Sequence, residues 1–183
     1  MLNLLAPDAK AVVAQAYSAA LRDGTQEIRE EHLLDALLED ADGLRLLGAA
    51  IEHDRAEIRV EIEQARRRAG VTATQASALA EFGIDIDAVI AQVEDKLGSG
   101  ALAGPQAKIR RRRGPDVSPT VIRVLQEAEG QLRTAGGRTL GVQHLVLGIL
   151  TAPSVVAESL ARRGVTPAGV RTAIAAGRHS AAR

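Results

Sequence analysis

An apolar stripe near the start of the chain gives the first structural signal. Apolar side chains recur at helical spacing from Ala9 to Ala20, along one face of a helix. Pro7 precedes the stripe, where proline suits the first position of a helix, and Gly24 follows it, where glycine suits the end. The spacing therefore predicts an amphipathic helix between Pro7 and Gly24.

The same pattern returns 112 residues later without a gap. This shift places Pro7 on Pro119 and His32 on His144. Other pairs keep the same register: Val12 and Val124, Ala16 and Ala128, Gly24 and Gly136, Leu33 and Leu145, Leu38 and Leu150, Ile58 and Val170, and Ile62 and Ile174. A match across so many apolar and helix-breaking positions indicates an internal duplication.

Each copy is predicted to form four helices. The second helix carries a run of core residues: Leu33, Leu34, Leu37 and Leu38, or Leu145, Val146, Ile149 and Leu150. The third is expected from about Gly43 to Ile51, or from Ser154 to Arg163, and the fourth begins at Asp54 or Thr166. No segment shows strand alternation. The sequence thus predicts an all-α fold, a tandem repeat of two four-helix bundles with an inserted helix pair, about ten helices in total and no sheet.

Two kinds of extra sequence lie between the copies. Residues 72–97 resemble a third version of the last helix pair, because Leu79 and Val89 match Leu160 and Val170 at a shift of 81. After them, Gly, Pro and Ser residues accompany a basic run, as in exposed linkers. The predicted divisions are 1–69 for the first repeat, 70–97 for the inserted pair, 98–116 for a basic flexible linker, 117–176 for the second repeat and 177–183 for a C-terminal tail.

Composition limits the chemistry that the chain can perform. Among its 183 residues there is no Cys, which excludes disulfides, thiolate zinc sites and a Cys nucleophile. No apolar run reaches the ~20 residues that span a bilayer. The start, MLNLLAPDAK, lacks the basic and long apolar regions of a secretory signal. We therefore expect a cytoplasmic protein with no membrane contact.

The net charge of zero conceals an uneven distribution. Residues 1–97 hold 10 basic and 19 acidic side chains, whereas residues 117–183 hold 8 basic and 3 acidic ones. Between them lies a basic run at Arg110–Arg113. This run pairs with the acidic first half or contacts phosphates of nucleic acid. Nucleic acid is the less favoured alternative, because single-strand binders use stacking aromatics and the chain has one Tyr and one Phe.

Short motifs in both copies resemble a known family. The stretches REEHLLDALLED at 29–40 and LGVQHLVLGIL at 140–150 look like the Clp N-terminal domain, a doubled helical module at the front of ClpA- and ClpC-type unfoldases. The start of the second copy, Val117-Ser118-Pro119, and its turn at 141–144 are similar to the family's F-T-P and G-T-E-H patterns. The resemblance covers residues 5–69 and 117–176.

The resemblance implies a binding module without catalysis. No G-x-x-x-x-G-K-[ST] motif is present to cradle nucleotide phosphates, so neither an ATPase activity nor a cofactor is expected. We expect a peptide- or protein-binding module of the Clp proteolysis system that acts as an adaptor, or as a decoy for ligands of Clp unfoldase N-domains. Its expected partners are Clp ATPase or protease components, or their substrates.

Phosphoarginine is one ligand that the resemblance implies. Some family members bind it at one site per repeat, formed by a Thr at the start of the first helix and the Glu of the E-H pair. A hydroxyl and helix amides hold the phosphate, and the carboxylate holds the guanidinium. The first copy keeps Glu31 but has Ala6, and the second keeps a hydroxyl in Ser118 but has Gln143. Each site has lost one half, so recognition of arginine-phosphorylated proteins is expected to be weak.

Two apolar residues complete the predicted binding surface. In actinobacterial members, a groove between the repeats receives cyclic-peptide antibiotics with help from an aromatic residue at the start of the first helix. The corresponding positions here are Leu5 and Val117. The surface is therefore expected to consist of Glu31, Ser118 and Gln143, with Leu5 and Val117 nearby.

The other polar candidates have structural explanations. His32 and His144 are equivalent in the repeat and are expected to hydrogen-bond the backbone near the start of the second helix. No H-E-x-x-H motif points to a metal. Acidic pairs such as Glu30–Glu31 lie near helix ends, where solvation and the helix dipole account for them. No catalytic residue and no metal site are predicted.

Overall fold

Helices dominate the computed structural model, which describes residues 4–68, 71–98 and 114–181. The first copy contains five helices and the second four, with a helical hairpin between them. In chain order they are α1 (Pro7–Arg22), α2 (Glu30–Glu39), α3 (Ala41–Leu47), α4 (Ala49–His53), α5 (Arg55–Arg67), α6 (Ala73–Glu81), α7 (Ile86–Leu97), α8 (Pro119–Thr134), α9 (Val142–Thr151), α10 (Val155–Arg162) and α11 (Pro167–Ala181). The all-α tandem repeat with an inserted pair is confirmed.

One helix of the first copy is broken where the sequence predicts a single helix from Gly43 to Ile51. Asp40 begins α3 earlier than predicted, because its carboxylate accepts hydrogen bonds from the N–H groups of Asp42 and Gly43 at 3.0 and 2.9 Å. Gly48 then ends α3 with a φ of 92°, a conformation that glycine adopts without steric cost. The remainder forms α4, so the described residues contain eleven helices.

The second helix of each copy begins with the same histidine contact. His32 Nδ1 accepts a hydrogen bond from the Arg29 N–H at 2.9 Å, and His144 Nδ1 accepts one from the Gly141 N–H at 3.0 Å. Each ring thereby satisfies a backbone donor just before the helix. The prediction that both histidines bond to the backbone is confirmed. Among the described residues, no group of three potential ligands is placed to hold a metal ion.

Short parallel strands connect the two copies, which corrects the prediction of a fold without a sheet. β1 (Glu27–Ile28) pairs with β2 (Asp116–Val117), and Leu5 forms a matching parallel bridge with Leu140. Each strand is two residues long or shorter, too short to produce an alternating pattern in the sequence. β2 also occupies the end of the predicted linker 98–116, whose residues 99–113 lie outside the described part of the chain.

The two copies interlock instead of standing as separate bundles. α3 of the first copy packs against α9 and α11 of the second, and α10 of the second packs against α2 and α5 of the first. One continuous core contains the predicted second-helix residues Leu37, Leu38, Ile149 and Leu150. Each repeat thus covers apolar surface that the other leaves open, as in other repeat proteins.

An ion-pair cluster reinforces this contact between the copies. Arg163, at the end of α10, has its guanidinium 3.0 Å from Asp54 and 3.1 Å from both Glu57 and Glu61 of the first copy. Burial opposes ionisation of Glu61, but hydrogen bonds from Ser159 and Arg163 outweigh it and lower the pKa of this carboxyl. The cluster therefore favours charged Glu61 at neutral pH.

The end of the chain also differs from its prediction as a tail from residue 177, because α11 continues to Ala181. Among the described residues, no single helix is long and apolar enough to cross a membrane. α9 and α10 are long and apolar enough only when they are taken together, and the chain bends by 95° between them.

Candidate functional site

The strand pairing brings together helix starts from different copies. Ile28 lies opposite Val117, and its carbonyl accepts a hydrogen bond from the Ser118 N–H at 3.0 Å. Ser118 begins α8 and Glu31 lies in the first turn of α2, and these two helices pack against each other. We call this place the Ser118–Glu31 junction.

A second junction forms where the segment before α1 pairs with the segment before α9. The Ala6 N–H donates to the Leu140 carbonyl at 2.9 Å, just before α1. Asp8, in the first turn of α1, accepts a hydrogen bond from the Val142 N–H at 3.3 Å, where α9 begins. Gln143 follows in the first turn of α9. We call this place the Ala6–Gln143 junction.

These two junctions regroup the residues that the sequence analysis assigns copy by copy. Within a copy, Glu31 belongs with Ala6, and Ser118 belongs with Gln143. In the structure the partners come from opposite copies, because β1 precedes α2 and pairs with the strand that precedes α8. One junction therefore has a hydroxyl at Ser118 and a carboxylate at Glu31, and the other has Ala6 and Gln143 at the equivalent positions, with neither group.

Both polar groups of the Ser118–Glu31 junction already have partners within the chain. Ser118 is buried, and its Oγ accepts a hydrogen bond from the Val121 N–H at 3.2 Å, which caps α8. Glu31 forms an ion pair with Arg66 of α5, whose guanidinium also contacts Glu63 at 2.7 Å. A ligand cation at Glu31 must therefore compete with Arg66.

A cavity of about 190 Å³ lies beside Glu31 and Arg66. Its wall includes His32, whose Nε2 lies 3.5 Å from the carboxylate of Asp23. Burial lowers the pKa of His32 and outweighs the opposing effect of the nearby carboxylates. The imidazole is therefore favoured in its neutral form, and Arg29, Arg59 and Arg66 are the cationic side chains at this cavity.

The two predicted apolar contacts differ in exposure. Leu5 is predicted on the binding surface, but it is 5% exposed and belongs to the core. Its bridge to Leu140 holds the backbone against the second copy, which directs the side chain inward. Val117 lies in β2 and is 42% exposed, so it remains available at the Ser118–Glu31 junction.

Glu30 is a polar group whose burial the sequence analysis misses. Solvation and the helix dipole are the expected explanation of the Glu30–Glu31 pair, whereas the structure buries Glu30 under the start of α10. Its carboxyl accepts hydrogen bonds from the Ser154 side chain and the Val156 backbone, and its Oε2 has no hydrogen-bond partner. Burial, followed by repulsion from Glu31, raises the pKa of Glu30 to about 7.

No sequence signal distinguishes Glu30 from an ordinary first-turn acid. A Glu suits the first turn of any helix, because the helix dipole favours a negative charge there. The burial of Glu30 follows from the packing of α10 on α2, which is a contact between copies. The predicted basic run Arg110–Arg113 lies outside the described residues.

Comparison with known families agrees with this architecture. A sequence model described as the Clp repeat (R) N-terminal domain matches the chain twice, over residues 5–75 and 69–164. The chain belongs to this family. A search of curated proteins found no match. Family membership supports a protein-binding role like that of Clp N-domains, with Clp-system components or their substrates as partners.

Proposed function

We propose that the protein is a non-catalytic peptide- and protein-binding module of the Clp proteolysis system and works in the cytoplasm. Membership of the family supports this class of function. The polar side chains at the two junctions indicate where in the fold the ligand binds. Ligand recognition belongs to the Ser118–Glu31 junction, because it alone of the two keeps both polar groups.

The chemistry of this junction suits a phosphorylated guanidinium. α8 is a helix of 16 residues, and the N–H groups of its first turn favour a phosphate. The Ser118 hydroxyl accepts from Val121 but retains its own hydrogen for donation to a phosphate oxygen. The carboxylate of Glu31 can pair with the guanidinium. We therefore propose one phosphoarginine site per chain.

Two contacts weaken this proposed site. Arg66 is already paired with Glu31, and the ligand guanidinium must displace it. Ser118 is buried, so the phosphate reaches it only at the surface edge of the α8 start. Weak, millimolar recognition is therefore expected, and Arg66→Gln should tighten binding by removing the competing cation. Weaker binding of this variant would mean that Arg66 helps to hold the ligand.

An NMR titration with phosphoarginine tests the proposal. Amide shifts should cluster at residues 29–32 and 118–121 and be absent at residues 6–8 and 141–144. Glu31→Gln should abolish the shifts, whereas Glu52→Gln, a substitution of an exposed Glu on α4, should leave them unchanged. Free arginine is the ligand control. No shifts with millimolar phosphoarginine, or equal shifts with arginine, would contradict phosphoarginine recognition.

A degradation assay separates the two proposed modes of action. With a ClpC-type unfoldase, its protease and an arginine-phosphorylated substrate, an adaptor should accelerate degradation and a decoy should slow it. Glu31→Gln should lose either effect. An unchanged rate with saturating protein would contradict both. Binding of cyclic peptides remains a prediction that depends on exposed Val117, since Leu5 is buried.

A further inference from the structure

The hairpin of α6 and α7 exposes apolar side chains that the rest of the molecule does not cover. Phe82 is 83% exposed and Leu97 is 74% exposed, and Ile84 and Val89 are also exposed. No side chain of α7 is buried. None of residues 71–98 belongs to the core in the part of the chain that the structure describes. The hairpin therefore presents an apolar face to solvent, which marks interaction surfaces in soluble proteins.

In the pair α10–α11, which has the same apolar pattern, other helices cover the apolar side chains. Leu160 is fully buried and Val170 is 3% exposed, whereas their equivalents, Leu79 and Val89, are half-buried and exposed. In the covered pair, α10 packs on α9 and α5, and α11 packs on α9 and α3. The hairpin thus carries the apolar pattern of a packed helix pair without the helices that would pack on it.

Charge indicates which helix would fit the hairpin. In α10, Arg162 forms an ion pair with Glu61 of the covering helix α5, at 2.5 Å. At the equivalent position the hairpin has Glu81. Across residues 71–98 there are five acidic side chains and one basic one. The hairpin therefore carries a net negative charge, and a covering helix of complementary charge is basic.

Two polar contacts attach the hairpin to the rest of the fold and leave its apolar face open. Arg68, just after α5, donates two hydrogen bonds to the carboxylate of Asp87, at 2.9 and 3.0 Å. The N–H of Thr74 donates to Glu158 of α10 at 3.1 Å. Hydrogen bonds from the threonines at this helix start lower the pKa of Glu158 despite the opposing effect of burial. These links are contacts between polar atoms.

We propose that the α6–α7 hairpin is a docking surface for an amphipathic helix of another protein, with an apolar ridge flanked by Lys or Arg. A second copy of this chain is a poorer fit, because two hairpins that each carry a net negative charge repel one another. The exposed apolar residues of the hairpin are not among the groups assigned to the Ser118–Glu31 junction, so this inference does not depend on phosphoarginine binding.

A synthetic helix provides the probe. The protein is titrated with a fluorescent 16-residue peptide that has Leu at helical spacing and Lys on both flanks, and with a peptide in which Glu replaces every Lys. The basic peptide should bind at least tenfold more tightly. Phe82→Ser with Val89→Ser should weaken its binding at least tenfold, and Glu81→Lys should also weaken it. Val60→Ser, a change to an exposed apolar residue on α5, should have no effect.

Several results would overturn the proposal. Equal binding of the acidic peptide would remove the charge argument, and unchanged binding by the hairpin variants would place the peptide elsewhere. Self-association in sedimentation runs that the Phe82 and Val89 changes abolish would identify a second copy as the occupant. Tighter binding after deletion of residues 108–113 would identify the chain's own basic segment instead. Circular dichroism checks that each variant keeps its helices.

Discussion

Replacing Glu30 by Gln should remove a buried carboxyl whose ionisation destabilises the folded protein. The carboxyl of Glu30 is held by Ser154 and the Val156 N–H, and its Oε2 has no hydrogen-bond partner. Burial raises the pKa from 4.5 to about 7, so the folded chain must ionise a group in an environment that favours the proton. A Gln side chain has the same shape, keeps an acceptor oxygen and carries no charge.

The direction of the pH effect follows from proton binding. Folded protein holds the Glu30 proton more tightly than unfolded protein does, so stability is highest at low pH and declines as pH rises from about 4.5 to about 7. Between pH 5 and pH 8 the decline from this one group amounts to about 2 to 3 kcal/mol. Glu30→Gln does not titrate and avoids this loss.

Urea unfolding followed by circular dichroism at pH 5, 6, 7 and 8 measures the effect. The difference in unfolding free energy between Glu30→Gln and wild type should move by about 2 to 3 kcal/mol in favour of the variant from pH 5 to pH 8. Glu52→Gln, at an exposed position, should show no such change. A difference that stays constant within about 0.5 kcal/mol across this range would refute the reasoning.

Three further predictions concern packing and the contact between copies, and each is measured by chemical denaturation. Leu160→Ala should lower the free energy of unfolding by about 2 to 5 kcal/mol, because the side chain is fully buried. Leu79→Ala, at the equivalent half-buried position of the hairpin, should lower it by less than about 1 kcal/mol. Equal losses would mean that the hairpin is packed into the core. Gly148→Ala should destabilise by about 1 to 3 kcal/mol, because its Cβ would lie 2.5 Å from the Val124 carbonyl oxygen, whereas Gly130→Ala on α8 has open space and should be neutral or stabilising. Arg163→Ala should cost about 1 to 3 kcal/mol by removing one of the two cations that contact Glu61, and it should raise the pKa of Glu61 part of the way back because Arg162 remains 2.5 Å away; an unchanged pKa would show that Arg163 does not control it.

The sequence predicts the helical repeat well because local signals and burial agree. Apolar spacing, Pro7 and Pro119 at helix starts, and glycines at helix ends all act within one turn of the chain. The backbone contacts of His32 and His144 are likewise local, since each ring reaches back three residues. Such features depend little on what lies on the other side of the fold.

The exchange between copies is not visible in the sequence, for a physical reason. Residues 28 and 117 meet through backbone hydrogen bonds, and nearly every residue type supplies the same N–H and carbonyl groups. Strands of two residues leave no alternation to detect. As a result, the sequence groups Glu31 with Ala6, although in the fold the helix of Glu31 packs against the helix that Ser118 begins. The burial of Glu30 escapes detection for the same reason, because a distant helix causes it.

The stoichiometry of phosphoarginine binding tests the central claim most directly. If each recognition site is assembled from opposite copies, wild-type protein should bind one equivalent, counted in an NMR titration as the number of junctions whose amides shift. The double variant Ala6→Thr with Gln143→Glu, which restores both groups at the other junction, should bind two. One equivalent for the wild type and two for the variant is the predicted result. Two equivalents for the wild type, or no gain in the folded double variant, would contradict the account.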